Sequence, residues 1–231
     1  MSGHGKHGEH AKHGGHGGHG HGHGAHEHGG GHAAHAEERR YDPLGNPEDL
    51  AAYLEKLESP ERAEWQKPDE VVASLGLRPG AVVADAGAGP GYFALRLARA
   101  VGPSGRVYGI DAEPRMLELL ARRAQEAGLS NVVPIPSDGV PLPPVACEVV
   151  LIVNAYHHFP DGPGTLRAVA ERLAPGGRLA VVDFHPDTPV GPPPDHLIAR
   201  EAFLDGVARA GLRVAREERF LPYQWFFFLE R

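Results

Sequence analysis

Residues Ala81 to Phe93 read AVVADAGAGPGYF, and this stretch decides the fold. It opens apolar, as a strand covered on both faces does. Asp85 follows, and then Gly87, Gly89 and Gly91 alternate with small residues and a proline. Phe93, Leu97 and Val101 then recur every four residues, the spacing of one helix face. Strand, glycine turn and helix in that order bring main chain close to a ligand in an open α/β sheet, because glycine lacks Cβ and tolerates positive φ. The helix start adds free N–H groups and a partial positive charge.

Two ligand patterns fit the turn. Gly89, Gly91 and Ala94 satisfy the G-x-G-x-x-G/A of a dinucleotide site, a match that is weak alone. The longer pattern, Asp85-x-Gly87-x-Gly89-x-Gly91, resembles motif I of class I S-adenosylmethionine-dependent methyltransferases. In that family the acid lies near the amino-acid end of the cofactor, and the glycine backbone packs against it.

Downstream of this turn, apolar runs alternate with amphipathic ones, which predicts a parallel sheet with helices on both faces. Arg106–Asp111 reads as the second strand, and Asp111 comes twenty residues after Gly91. An acid there accepts the hydroxyls of a ribose, in NAD or S-adenosylmethionine alike. Pro114 opens a helix with Met116, Leu117, Leu120 and Ala124 inward, and Val132–Pro136 is a short third strand before Ser137-Asp138-Gly139. The resemblance puts Ala112 and Met116 near the adenine and Ser137 and Asp138 near its amino group, although an Asp before Gly is also an ordinary turn former. The proline-rich segment after Gly139 predicts a shortened crossover.

Glu148–Asn154 is almost continuously apolar and therefore a central fourth strand, leading into Ala155-Tyr156-His157-His158-Phe159. That segment resembles motif IV of small-molecule methyltransferases near the ubiquinone and menaquinone biosynthesis enzymes, where it passes beside the transferred methyl group. It implies cofactor contact by Asn154 and a catalytic base at His157 or His158, since imidazole titrates near neutrality. Asp183 and His185 are weaker candidates, and the alternative reading of His158 is that it packs with Phe159 as a helix cap. Leu173-Ala174-Pro175-Gly176-Gly177 matches a further family hallmark, read as a turn before a fifth strand at Leu179–Asp183. Arg213–Glu218 and Tyr223–Glu230 read as a closing hairpin. The expected fold is α/β, a doubly wound, seven-stranded, mostly parallel sheet with the last strand antiparallel. In all, the resemblance assigns cofactor contacts to Asp85, Gly87, Ala88, Gly89, Gly91, Asp111, Ala112, Met116, Ser137, Asp138 and Asn154.

Upstream, short helices are expected over Asn46–Glu58, capped by Asn46 with Pro47 at its first position, then from Ser59 through Trp65, and over Asp69–Leu75. Together, over 41–78, they resemble the N-terminal cap of many class I methyltransferases, which partly covers cofactor and substrate, and that resemblance makes Tyr41, Trp65 and Gln66 candidates to line it. Trp65 alternatively docks these helices on the body at 79–231.

Residues 1–40 are a different polymer. Twelve of the 16 histidines lie between His4 and His35, spaced mostly by glycine. With almost nothing apolar to bury, the segment is expected to be disordered. Neutral imidazoles suit Ni, Zn, Cu and Co, and His16, His19, His21, His23, His26 and His28 are the densest candidate ligands. A solubilising tail that gains charge at acid pH is the simpler alternative.

Composition bounds these readings. The 231 residues suffice for one domain with a large core, and the net charge of −7 predicts no nucleic-acid footprint. A single cysteine, Cys147, excludes an intramolecular disulfide and a thiolate cluster. No stretch approaches a membrane span, so a soluble cytoplasmic protein is expected, with no membrane partner and an oligomeric state left open. The expected activity is methyl transfer from S-adenosylmethionine to a small-molecule acceptor. The competing readings are a metal-binding or storage protein that keeps the fold without catalysis, and an NAD-dependent oxidoreductase.

Overall fold

The computed structural model describes residues 49–231. Tyr41, Asn46, Pro47 and all twelve histidines of the N-terminal tail therefore lie outside the described residues. Seven strands form one sheet: β1 (Val82–Ala86), β2 (Arg106–Asp111), β3 (Val132–Pro136), β4 (Cys147–Val153), β5 (Leu173–Phe184), β6 (Arg213–Glu218) and β7 (Gln224–Glu230). Their order is β3-β2-β1-β4-β5-β7-β6. Strands β1 to β5 pair in parallel, whereas β7 runs antiparallel to both β5 and β6. The chain winds outward from β1 to β3 and then returns to lay β4 on the other side of β1. That reversal opens a crevice at the carboxyl ends of β1 and β4.

The period-two alternation of the strands divides the core in two. Val83, Val107, Leu151, Val182, Phe226 and Phe228 face one layer, which is covered by α3 (Pro68–Ser74), α4 (Ala94–Val101) and α5 (Pro114–Glu126). Ala84, Ile110, Ile152, Val181, Trp225 and Phe227 face the other, covered by α6 (Gly162–Ala170) and α7 (Arg200–Arg209). The run Trp225-Phe226-Phe227-Phe228-Leu229 supplies both faces, so the last strand of the chain sits inside the sheet, and β6 takes the edge.

Several expected boundaries move. The first helix, α1, spans Leu50–Glu58 and is capped by Asp49, whose Oδ1 accepts from Ala52 N at 3.1 Å. A second, α2, covers Glu61–Gln66 and ends at Lys67 in a left-handed conformation, φ 44°. Helix α6 starts before Thr165 because Asp161 accepts from Gly164 N at 2.9 Å and Pro163 suits the first turn. The Pro-Gly-Gly sequence is a bulge inside β5 and not a turn ahead of it. Leu173 already pairs with Cys147, the register then jumps to Arg178 against Val149, and Gly176 absorbs the bend at φ 75°. Between β3 and β4 no helix forms, as the prolines predicted.

Candidate active site

The crevice is lined from the carboxyl ends of β1, β2 and β4, from the glycine turn, and from α1 and α2. Asp85, the residue before the last of β1, is on its wall, 2% exposed, and its Oδ2 is buried with no hydrogen-bond partner among the described residues. Burial, and then the charge of Asp111, push its carboxyl up to about 7 against the pull of Ala94 N–H and Arg62. An ionisable group so placed suits a ligand that brings a positive charge.

The three turn glycines differ in purpose. A Cβ on Gly87 would sit 2.5 Å from Ala155 Cβ, and one on Gly91 would meet Leu120 at the same distance. Both therefore permit close packing. Gly89 would meet nothing within 4 Å, yet it holds φ 52° and lines the cleft with Gly87 and Ala88. Its missing side chain leaves main chain facing open space, a cradle for a ligand. Gly91 is not on the wall.

Asp111, at the end of β2, also lines the cleft. Its Oδ2 accepts from Gly89 N at 2.7 Å and its Oδ1 from Glu113 N at 2.9 Å. The carboxylate thus ties the glycine turn to the start of α5, and each oxygen keeps acceptor capacity. Burial raises its pKa, while these N–H groups oppose the rise. Ala112, Met116 and Ser137 lie on the same wall. Asp138 does not: it is exposed, and Gly139 lines the cleft in its place.

Asn154, at φ 54°, follows β4 on the wall, with His158 and Phe159 beyond it. The two adjacent histidines separate. His158 lines the cleft. His157 lies off it, its side chain 2% exposed and its ring tilted at 46° against His158, 4.0 Å between ring centroids. Its Nδ1 meets Asp183 Oδ1 at 2.8 Å, and its backbone N–H donates to Asp183 Oδ2 at 3.1 Å. A 3-10 turn at Tyr156–His158 turns the neighbouring rings to different surroundings.

Sequence reasoning expected a cap but did not name the residues through which it lines the cleft. Tyr53, Leu57 and Arg62 line the cleft, while Trp65 and Gln66 do not. Trp65 packs on Phe184 and Tyr223 at 5.6 and 6.4 Å. Arg62 is 7% exposed, lies 3.9 Å over the Tyr92 ring, and has its pKa lowered to about 10 by burial, which still leaves it charged at neutral pH. No local signal marks it, because its burial depends on Tyr92 thirty positions away.

Among the described residues, no group of three or more His, Cys, Asp or Glu side chains is placed to hold a metal ion. Cys147 is buried, its thiol pushed up to about 12 by desolvation. No helix of the described residues is long and apolar enough to cross a membrane.

Residues 83–177 match a family described as a methyltransferase domain. An uncharacterized 37.1 kDa protein from a Streptomyces fradiae transposon is 32% identical over 133 residues, 58% of this chain and 38% of that protein. A demethylmenaquinone methyltransferase of Listeria welshimeri is 30% identical over 122 residues, 52% of this chain and 51% of that protein. The chain thus spans about half or less of these curated relatives. Among solved structures, an S-adenosylmethionine-dependent methyltransferase from Aquifex aeolicus superposes with a TM-score of 0.72 at 26% identity, over 82% of this chain and 98% of that one.

Proposed function

We propose that this chain, a class I S-adenosylmethionine-dependent methyltransferase in fold and motif order, moves a methyl group to a small-molecule acceptor. The observation that carries the reading is the pair of carboxylates, Asp85 and Asp111, on one cleft wall with the bare backbone of Gly89 beside them. The unpartnered Asp85 Oδ2 and the Arg62 guanidinium fit the two charges of an α-amino acid. Asp111 suits ribose hydroxyls, and Met116 and Ile110 offer apolar surface to a flat base.

When bound, S-adenosylmethionine supplies a methyl carbon on a sulfonium, already activated toward in-line displacement. The chain's own side chains then need mainly to align the acceptor and exclude water. Tyr53, Leu57 and Phe159 supply apolar and aromatic wall for that purpose. His158 is the residue suited to take a proton on a ring nitrogen where the acceptor carries one. His157 supports it from beneath, held by Asp183. A quinone-like carbon, a hydroxyl and an amine are all admissible acceptors.

Residues 1–40 add a separate proposed property. The imidazoles of His16, His19, His21, His23, His26 and His28 bind Ni, Zn, Cu or Co, several weak sites sharing one ion.

Thermal shift with S-adenosylmethionine, S-adenosylhomocysteine and NAD tests the cofactor. Stabilisation by the first two is expected; stabilisation by NAD alone overturns the reading, and response to none of them leaves a metal-binding protein. Labelled-methyl transfer over a small-molecule extract, followed by mass identification of the product, then names the acceptor.

A further inference from the structure

Four polar side chains form a line from the cap to the end of β4. Arg62 Nε donates to Gln66 Oε1 at 2.5 Å, and Gln66 Nε2 donates to Gln224 Oε1 at 3.3 Å. Gln224 Nε2 then donates to Asn154 Oδ1. Gln66 is 0% and Gln224 2% exposed, and the two are 158 positions apart in the chain. Burying two primary amides costs free energy unless each finds partners. Neither Gln66 nor Gln224 lines the cleft, yet the line they make begins and ends on its wall, at Arg62 and Asn154.

The direction of this line is not arbitrary. A guanidinium has donors and no acceptor. Gln66 must therefore turn its oxygen to Arg62, which leaves its NH2 for Gln224. Gln224 then turns its oxygen to Gln66 and its NH2 to Asn154. The oxygen of Asn154 is thereby occupied, and its NH2 is the end left for the cleft. At the other end, Arg62 Nη1 donates to Leu57 O at 2.8 Å, and Nη2 makes no hydrogen bond within the described residues. Both ends thus present N–H groups, while Asp85 presents an unpartnered oxygen on the same wall.

We propose that Gln66 and Gln224 are positioning residues that fix Arg62 and Asn154 as N–H donors for a carboxylate, the α-carboxylate at the amino-acid end of the cofactor. This rests on the cofactor reading above and adds a selectivity to it. A reversed line would turn the Asn154 oxygen toward the carboxylate and repel it. The charged amino-acid end is recognised through a cap helix and the last strand together, so the cap is part of cofactor recognition.

Gln224→Glu tests it. The substituted carboxylate still accepts from Gln66 but has no N–H for Asn154, whose amide is then free to turn its oxygen to the cleft. Gln66→Met breaks the line from the other side without adding charge, and serves where the first variant fails to fold. Each is titrated calorimetrically with S-adenosylhomocysteine, which has the amino-acid end, and with 5′-methylthioadenosine, which lacks it. The expected result is about a tenfold or greater loss of affinity for the first ligand with the second within about twofold. A purely structural role weakens both alike, and an unchanged ratio of the two affinities in a folded variant overturns the proposal. Should the unsubstituted protein bind neither ligand, the cofactor reading falls first and this inference with it.

Discussion

Asp85 is a side chain on which its surroundings act strongly. Its carboxyl sits near 7 because it is buried beside Asp111. A raised acid means that the folded protein keeps a proton the unfolded chain has shed. Its contribution to the stability of the ligand-free protein is therefore full at about pH 4, falls as pH rises to about 7 and levels off above that. The cofactor's ammonium favours the ionised form, so its affinity should climb through about pH 7 and decline only as the ligand's own amino group titrates near 8. Asp85→Asn should abolish the climb, weaken binding, and raise the ligand-free melting temperature at about pH 8. Calorimetric titration and melting curves over that range check all three. The adjacent histidines should also part. His158→Ala should slow turnover by about 10²-fold with cofactor affinity retained. His157→Ala should instead cost about 1–3 kcal/mol of stability in urea, because Asp183 loses its ring partner. Nothing in the local sequence separates the two. The distinction comes from Asp183, 26 positions on, which pulls one ring off the cleft.

The glycine turn between β1 and α4 is the element on which the site is built. Gly87 and Gly89 both hold positive φ, 82° and 52°, but only Gly87 is closely approached. Gly89→Ala should lose about 1–2 kcal/mol, the cost of left-handed backbone for a residue with Cβ, and should weaken S-adenosylhomocysteine by placing a methyl group in the cleft. Gly87→Ala should lose that much and about 1–3 kcal/mol more, since its methyl collides with Ala155 and pushes the end of β4 away. Urea melts and ligand titration of the pair separate packing from recognition. This turn was legible because strand period, an acid and glycine spacing are local properties. The bulge in β5 was not. Leu-Ala-Pro-Gly-Gly reads as a plain turn, and only pairing with Cys147 and Val149 shows that the strand continues through it. The caps of α1 and α6 shifted the helix starts for a similar reason: several nearby polar residues compete, and the backbone geometry selects Asp49 and Asp161.

The chain as a unit joins an α/β body to a segment of unrelated composition. A protein starting at Tyr41 should bind S-adenosylhomocysteine as the full chain does and lose its heat of Ni²⁺ binding; equal metal heats would remove the tail from the account. Within the body, alternation of apolar and amphipathic runs determined a doubly wound sheet, and the spacing of Asp85, the glycines and Asp111 determined where its ligand crevice opens. Those features depend on neighbours a few positions apart, or on the fixed geometry of a strand–turn–helix unit. What only tertiary structure decided is which side chains complete the crevice. Arg62 becomes a buried cation because Tyr92 and Gln66 enclose it, Asn154 acquires a defined donor face through Gln224, and Asp138 is left outside. Each outcome requires segments distant in sequence to meet, and the free energy of burying a polar group is set by that meeting and not by the residue's own type.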